Sequence, residues 1–304
     1  MRAGINALTA IFLIGVLAGL ALTPDGRAWL RHPTILLGDR AAASAPLPTS
    51  VSAPAAAAPA TVPVPATARA TPLNARLAEG PLRIGVFGDS MADGLYAGLY
   101  RELQDEPNLK VSKFSQVSTG LTRYDYVNIH ARTRAQLDEH PVDVAVLLFG
   151  TNDAQGIDTG DDIHRFGTDG WKAAYGRRID DLVALLRSRG IAVYWVGLPR
   201  MKRDSFDDQM MLINGVIESR MRALGVPYIE TVGLTSNGDG DYEAYLPTAG
   251  GRRVLMRAGD GIHMSMAGYV RMSAPVAAMI RRDSGLDRVP SPGPASAPPT
   301  EPAA

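Results

Sequence analysis

Two hydrophobic periods alternate along residues 82–283 of the chain. Leu82-Arg83-Ile84-Gly85-Val86-Phe87 and the continuous apolar run Asp143–Phe149 predict strands, the second buried on both faces. Leu95, Leu99 and Leu103 recur at spacing four and predict a helix over Met91–Gln104. Val111–Val117 is a more polar strand. Val127–Glu139 is a helix ended by His140-Pro141. Trp171, Tyr175, Ile179, Leu182 and Leu186 form one stripe of a helix that Thr168 can cap and Gly190 closes. Ile191–Val196 is another buried strand and Val226–Glu230 a short one. Between them, Asp207–Leu224 is helical, with Met210, Ile213, Ile217, Met221 and Leu224 on one face. Leu234–Arg257 is rich in Gly and Tyr and reads as an excursion with a hairpin. Ser265 caps a last helix through Met266, Val270, Ala277 and Ile280. Strands alternating with helices imply α/β architecture: a mostly parallel five-stranded sheet between two helical layers.

The flanks break this pattern. Ile5–Leu22 is a nearly unbroken apolar run of 18 residues preceded by Arg2. That length suits the lower edge of a membrane-spanning helix and is long for a signal-peptide core. Leu20-Ala21-Leu22-Thr23-Pro24 is a poor cleavage site, which favours an uncleaved anchor over a cleaved signal or a buried helix. Residues 41–80 are dominated by Ala and Pro, and 286–304 are Pro-rich; both read as disordered linker and tail. The expected organisation is an anchor or signal over 1–40, the linker, one domain over 81–285, and the tail. Arg27, Arg31 and Arg40 follow the apolar run and oppose an outward orientation under the positive-inside rule. The linker resembles a periplasmic spacer, so the domain is placed in the periplasm, held at the inner membrane.

Charge and cysteine narrow the chemistry. Thirty-one basic and 31 acidic residues cancel, and no basic block interleaves with aromatics, so nucleic acid is not an expected partner. With no cysteine there is neither disulfide nor thiolate chemistry. No phosphate-cradling glycine loop, dinucleotide fingerprint or His-Glu-x-x-His pair is present, and neither cofactor nor metal is expected. Asn237-x-Asp239-x-Asp241 lacks the glycine and glutamate of a calcium loop and reads as a solvated turn. The oligomeric state is not legible.

In an open α/β sheet, ligands bind beyond the carboxyl ends of the strands. Four segments fall there: Gly88-Asp89-Ser90, Ser118-Thr119-Gly120, Gly150-Thr151-Asn152-Asp153, and Asp260-Gly261-Ile262-His263 before the last helix. Together they hold the parts of an acyl-transfer site. Ser90 starts a helix, where negative charge is favoured. A serine needs a base to take its proton, and His263 supplies one. Asp260 can accept from the other imidazole nitrogen and fix its tautomer. The backbone N–H groups of Ser90 and Gly120 and the amide of Asn152 can meet the developing oxyanion.

In order and spacing these four segments resemble the blocks of the SGNH, or GDSL-like, serine hydrolases, over residues 82–283. With Ser118-Thr119-Gly120-Leu121 and Trp195-Val196-Gly197-Leu198-Pro199 they are similar, more narrowly, to the bacterial, membrane-anchored DUF459 group, whose substrate is unassigned. The resemblance implies a three-layer α/β/α, flavodoxin-like sheet and catalysis by Ser90, Gly120, Asn152 and His263, with Asp260 as the orienting acid. It also implies ester substrates, with O-acetylated carbohydrate the first expectation. Two rivals stand beside hydrolysis: an O-acyltransferase that discharges the acyl group onto a glycan, and a non-catalytic glycan-binding envelope protein.

Isolated, each signal has a plainer reading. Gly-Asp-Ser occurs in ordinary turns, Gly120 could be only a turn glycine, and Asn152 could hold a turn. Among the five histidines, His263 alone follows an acid by three residues at a strand–helix junction. Asp89 and Asp153 read as braces. Arg123, Asp125, Gln155 and Arg200 lie near the rim as candidate substrate contacts, while Trp171 reads as core. No long apolar stretch suits a lipid acyl chain.

Overall fold

The computed structural model describes residues 72–287. The apolar run Ile5–Leu22, the linker before Pro72 and the tail after Asp287 lie outside the described residues. Among those described, no helix is long and apolar enough to cross a membrane.

Five parallel strands form the central sheet: β1 (Leu82–Gly88), β2 (Leu109–Lys113), β3 (Val144–Leu148), β6 (Ala192–Val196) and β7 (Tyr228–Ile229). Their order is β2-β1-β3-β6-β7. The chain first steps from β1 outward to β2, then reverses and crosses to β3. With right-handed crossovers, that reversal puts α2 (Ser90–Leu103) on one face. It puts α3 (Ile129–Glu139), α4 (Asp169–Ser188) and α5 (Asp204–Leu224) on the other. The last helix, α7 (Met266–Ser284), packs against α2, and α4 packs against α3 and α5. The result is the expected three-layer, flavodoxin-like arrangement, with its switch point between β1 and β3.

Burial explains the strand patterns. Every residue of β3 is buried, as a central strand with helices on both faces requires. β2 is an edge, and its Lys110, Ser112 and Lys113 face outward or solvent, which blunts unwanted pairing. It begins two residues earlier than its apolar pattern suggested. Phe114 and Gln116 still donate to Val86 and Gly88 carbonyls at 2.9 Å beyond its end. Thr168 and Ser265 cap α4 and α7 as expected, accepting from Trp171 N–H at 3.3 Å and Gly268 N–H at 3.2 Å.

Three features depart from the sequence pattern. The expected linker does not extend to residue 80: Leu73–Glu79 forms α1, with Leu73 buried. Arg76 fixes α1 to the domain by donating to Asp143 Oδ1 at 2.9 Å and to Gly190 O at 3.0 Å. Leu73 and Leu77, four apart after Pro72, carried that signal inside an Ala/Pro-rich context. After β3 the chain forms a small antiparallel pair, β4 (Ile157–Asp158) and β5 (Ile163–His164), which no period in the sequence marks. A one-turn helix, α6 (Val232–Thr235), precedes the hairpin β8 (Tyr245–Pro247) and β9 (Arg253–Leu255), which was anticipated within the excursion.

Candidate active site

The strands at the switch point deliver the first two groups. Ser90 is the first residue of α2, directly after β1. Its N–H precedes the first intrahelical bond, and among the described residues it has no acceptor. Asp89 is the N-cap: its Oδ1 accepts from Met91 N–H at 2.9 Å. Its Oδ2 accepts from the Thr151 hydroxyl at 2.5 Å and the Thr151 N–H at 3.2 Å. One buried carboxylate thus ties the serine turn to the loop after β3. Burial pushes the Asp89 carboxyl up, to about 6, against the bonds from Thr151 and Met91.

The loop after β3 and the loop after β2 are joined by two further side chains. Asn152 Nδ2 donates one hydrogen to Thr119 O at 2.9 Å, leaving its second for another acceptor. Asp153, fully buried, accepts at Oδ1 from Thr122 N–H and its hydroxyl, both at 2.8 Å, and at Oδ2 from Tyr175 OH at 2.9 Å. Burial raises its carboxyl while these donors oppose the shift. Gly120 lies so close that a Cβ there would sit 2.3 Å from Asp153 Oδ1. Its N–H has no acceptor among the described residues. The one non-glycine residue with left-handed backbone among those described, Ser118 (φ 61°), leads into this turn.

The third segment comes from before α7. His263 Nε2 lies 2.8 Å from Ser90 Oγ, and His263 Nδ1 lies 2.7 Å from Asp260 Oδ2. Asp260 Oδ1 accepts from the backbone N–H groups of Ile262 and His263 at 2.8 and 2.9 Å. Partial burial would raise the Asp260 carboxyl. The His263 bond and the two backbone donors overcome it and hold the group at about 2. Asp260 is therefore ionised over the whole neutral range, and the Nδ1 proton of His263 has a fixed acceptor. Nε2 is left facing Ser90 Oγ, a geometry in which an imidazole can accept a hydroxyl proton.

The structure thus brings Ser90, His263 and Asp260 into one hydrogen-bonded chain, with Asn152 bound to the turn that presents Gly120. The four rim candidates separate. Arg123 is committed to its own loop, donating to Ser118 O at 2.7 Å. Arg200 pairs with the buried Asp207 at 2.8 Å. Gln155 donates to Asn152 O at 2.9 Å and to Thr122 Oγ1 at 3.2 Å. With exposed Asp125 it lines a cavity of about 480 Å³ of mixed polar and apolar surface, together with Thr122, Tyr124, Asp158 and Arg178. Trp171 is core, its indole N–H donating to Gln155 O at 2.7 Å. The Asn237 segment is a turn, with Asn237 Oδ1 accepting from the N–H groups of Asp239 and Asp241. Among the described residues, no group of three or more His, Asp or Glu is placed to hold a metal ion.

Sequence reasoning missed Thr151, Thr122 and the Tyr175 hydroxyl as braces of the site. Tyr175 carried only a core signal, since its ring is part of the α4 stripe and only its oxygen reaches Asp153. It also left unremarked an apolar cavity of about 600 Å³ between the β8–β9 hairpin and α7, walled by Val254, Met256, Met266 and Val270. That cavity is assembled within residues 247–271, where the hairpin folds back on the start of α7.

Several solved structures are similar in fold at low identity. An alpha/beta hydrolase from the metagenome of Lake Arreo, Spain, is 15% identical, with 69% of this chain and 98% of that chain covered and a TM-score of 0.49. A putative lipolytic protein of the G-D-S-L family from Desulfitobacterium hafniense is 14% identical, covering 65% and 98%, at 0.47. A carbohydrate acetylesterase from Sinorhizobium meliloti is 13% identical, covering 66% and 99%, at 0.45. No curated protein matches the sequence. Residues 83–279, more than half of the chain, match the model of a family described as Protein of unknown function (DUF459), and the chain belongs to that family.

Proposed function

We propose that this protein is a serine esterase acting on O-acetylated carbohydrate outside the cytoplasm. The observation that carries the reading is the chain Asp260–His263–Ser90, with contacts of 2.7 and 2.8 Å. Ser90 Oγ attacks the ester carbonyl carbon while its proton passes to His263 Nε2. The new imidazolium keeps its Nδ1 proton on ionised Asp260. The oxyanion lies against the N–H groups of Ser90 and Gly120 and the second hydrogen of Asn152 Nδ2. His263 then gives its proton to the departing alcohol, leaving an acyl group on Ser90. Water attacks that ester with its proton taken by His263, which then passes that proton to Ser90 Oγ as the carboxylic acid leaves.

The cavity beside Gln155 supports a hydrophilic substrate in that Asp125, Asp158 and Gln155 in its walls offer carboxylate and amide acceptors to hydroxyl groups. An extracytoplasmic position at the inner membrane is supported by the apolar run Ile5–Leu22 and the Ala/Pro-rich stretch after it. Protease accessibility of the domain in spheroplasts tests it, and protection from protease would reverse the orientation.

Labelling by a fluorophosphonate probe tests the chemistry. Wild type should label and Ser90→Ala should not; an unlabelled wild type would remove the serine esterase and leave a glycan-binding protein. Acetate released from an acetylated oligosaccharide then tests the substrate. Acetyl moved to an acceptor glycan without free acetate would assign transfer instead.

A further inference from the structure

Directly beneath the Asp260–His263 turn lies an arginine that the chemistry above does not use. Arg257 is 1% exposed. Its Nη2 donates to Ile262 O at 2.8 Å and lies 3.4 Å from Gly261 O. Its Nε and Nη1 hydrogens find no acceptor among the described residues. The two carboxylates whose charge reaches it are engaged elsewhere, Asp207 with Arg200 at 2.8 Å and Asp260 with His263 at 2.7 Å. Further compensation comes from the face of Tyr242, 4.9 Å from the guanidinium carbon, and from Met201 Sδ, 3.6 Å from Nη2.

A buried cation so poorly paired is a poor stabiliser of a fold. Desolvation of the guanidinium costs several kcal/mol, and shape-matched apolar replacements of buried ions are often neutral or stabilising. Its position accounts for its presence better than stability does. The turn it supports closes on itself: Ala258 N–H donates to His263 O at 2.8 Å, and Lys202 N–H donates to Gly261 O at 3.0 Å. Gly261 is left-handed at φ 72°, and a Cβ there would lie 2.4 Å from Lys202 Cβ. Asp260 and His263 are themselves about one-third to one-half exposed, so their own burial does little to fix them. The carbonyls of residues 261 and 262 are the backbone between them, and Arg257 grips both from the buried side.

We propose that Arg257 is a positioning residue for proton transfer, holding the Gly261–Ile262 backbone so that Asp260 and His263 stay aligned on Ser90. This rests on the esterase reading for its kinetic consequence, though not for its structural one. An error of about 1 Å in such a pair costs on the order of 100-fold in rate. Loss of the grip should therefore lower kcat and leave KM, which the rim sets.

Arg257→Met removes charge and donors while keeping much of the stem. The full-length protein should keep or raise its melting temperature, lose roughly tenfold or more in kcat, and hold KM within about twofold of wild type. Arg257→Lys, which keeps the charge but is shorter and lacks the fixed planar donor fork, should recover part of kcat. The low-field proton resonance of His263 Nδ1 supplies a readout independent of turnover. It should be present in wild type and broadened or displaced in Arg257→Met. An unchanged resonance with kcat within twofold of wild type would overturn the proposal. So would a kcat loss that merely follows a fall in melting temperature with the resonance unchanged. If wild type neither labels nor hydrolyses, the esterase reading fails, and the resonance alone still decides whether Arg257 aligns the pair. Should Arg257→Met not fold, Arg257→Lys with its own resonance and kcat gives the same decision.

Discussion

Asp153 is the most stringent test of how the site is built. It is fully buried and serves as acceptor for Thr122 N–H, Thr122 Oγ1 and Tyr175 OH at 2.8, 2.8 and 2.9 Å. Asp153→Ala strands the Thr122 N–H and the Tyr175 hydroxyl in a dry interior. Each unsatisfied group costs about 1–3 kcal/mol, so the two together cost about 2–6 kcal/mol. Removing a carboxyl that burial already disfavours returns part of this, and a net loss of about 2–4 kcal/mol is expected. Asp153→Asn keeps an oxygen for Thr122, and the Tyr175 hydroxyl can turn to accept from the new amide. Its cost should be about 0–1 kcal/mol. Urea denaturation followed by tryptophan fluorescence reads both variants, because Trp171 stacks on Tyr175 with ring centroids 4.7 Å apart. Activity per folded molecule should fall in Asp153→Ala as the Gly120 turn loses its brace, and survive in Asp153→Asn. If the two variants differ by less than about 0.5 kcal/mol, below the cost of one orphaned donor, the bracing role is wrong.

Three further outcomes follow from other contacts. Gly120→Ala places a Cβ 2.3 Å from Asp153 Oδ1, which the Thr122 N–H and hydroxyl hold in place, so the turn must shift. The expected loss, read as kcat on an aryl acetate, is about 10²–10³-fold, as for removal of one oxyanion donor. Asp89 is protonated more readily in the fold, at about 6, than its ordinary 3.8. Its contribution is therefore fully present below pH 4 and lost as pH rises through 6, up to about 3 kcal/mol. Melting temperatures should fall between pH 4 and 7, and Asp89→Asn should flatten that slope; an unchanged slope would assign it to other groups. Leu73→Ala combined with Arg76→Ala should lower stability by about 2–5 kcal/mol, as for removal of a buried leucine. An unchanged denaturation midpoint would show that α1 contributes nothing to the domain.

How much of this was legible beforehand depended on the range of each interaction. The strand–helix alternation was readable because burial on two faces or one leaves a local period, as in β3 and the α4 stripe. Ser90, Asn152 and His263 were readable because each sits in a short motif at a strand end; the fold places His263 2.8 Å from Ser90 and Asn152 on the turn that holds Gly120. The supporting shell was not. Tyr175 braces Asp153 across 22 residues and Arg76 reaches Gly190 across 114, and a single sequence without periodicity cannot register such pairs. Arg257 shows the limit most clearly. In the sequence it is one arginine in a Gly-rich stretch, where the default expectation is a solvated side chain. Only the fold reveals that it is buried and bonded to the backbone between the acid and the base. Side chains with the chemistry to make bonds announce themselves in local motifs, whereas the contacts that set their positions are fixed by packing across the chain.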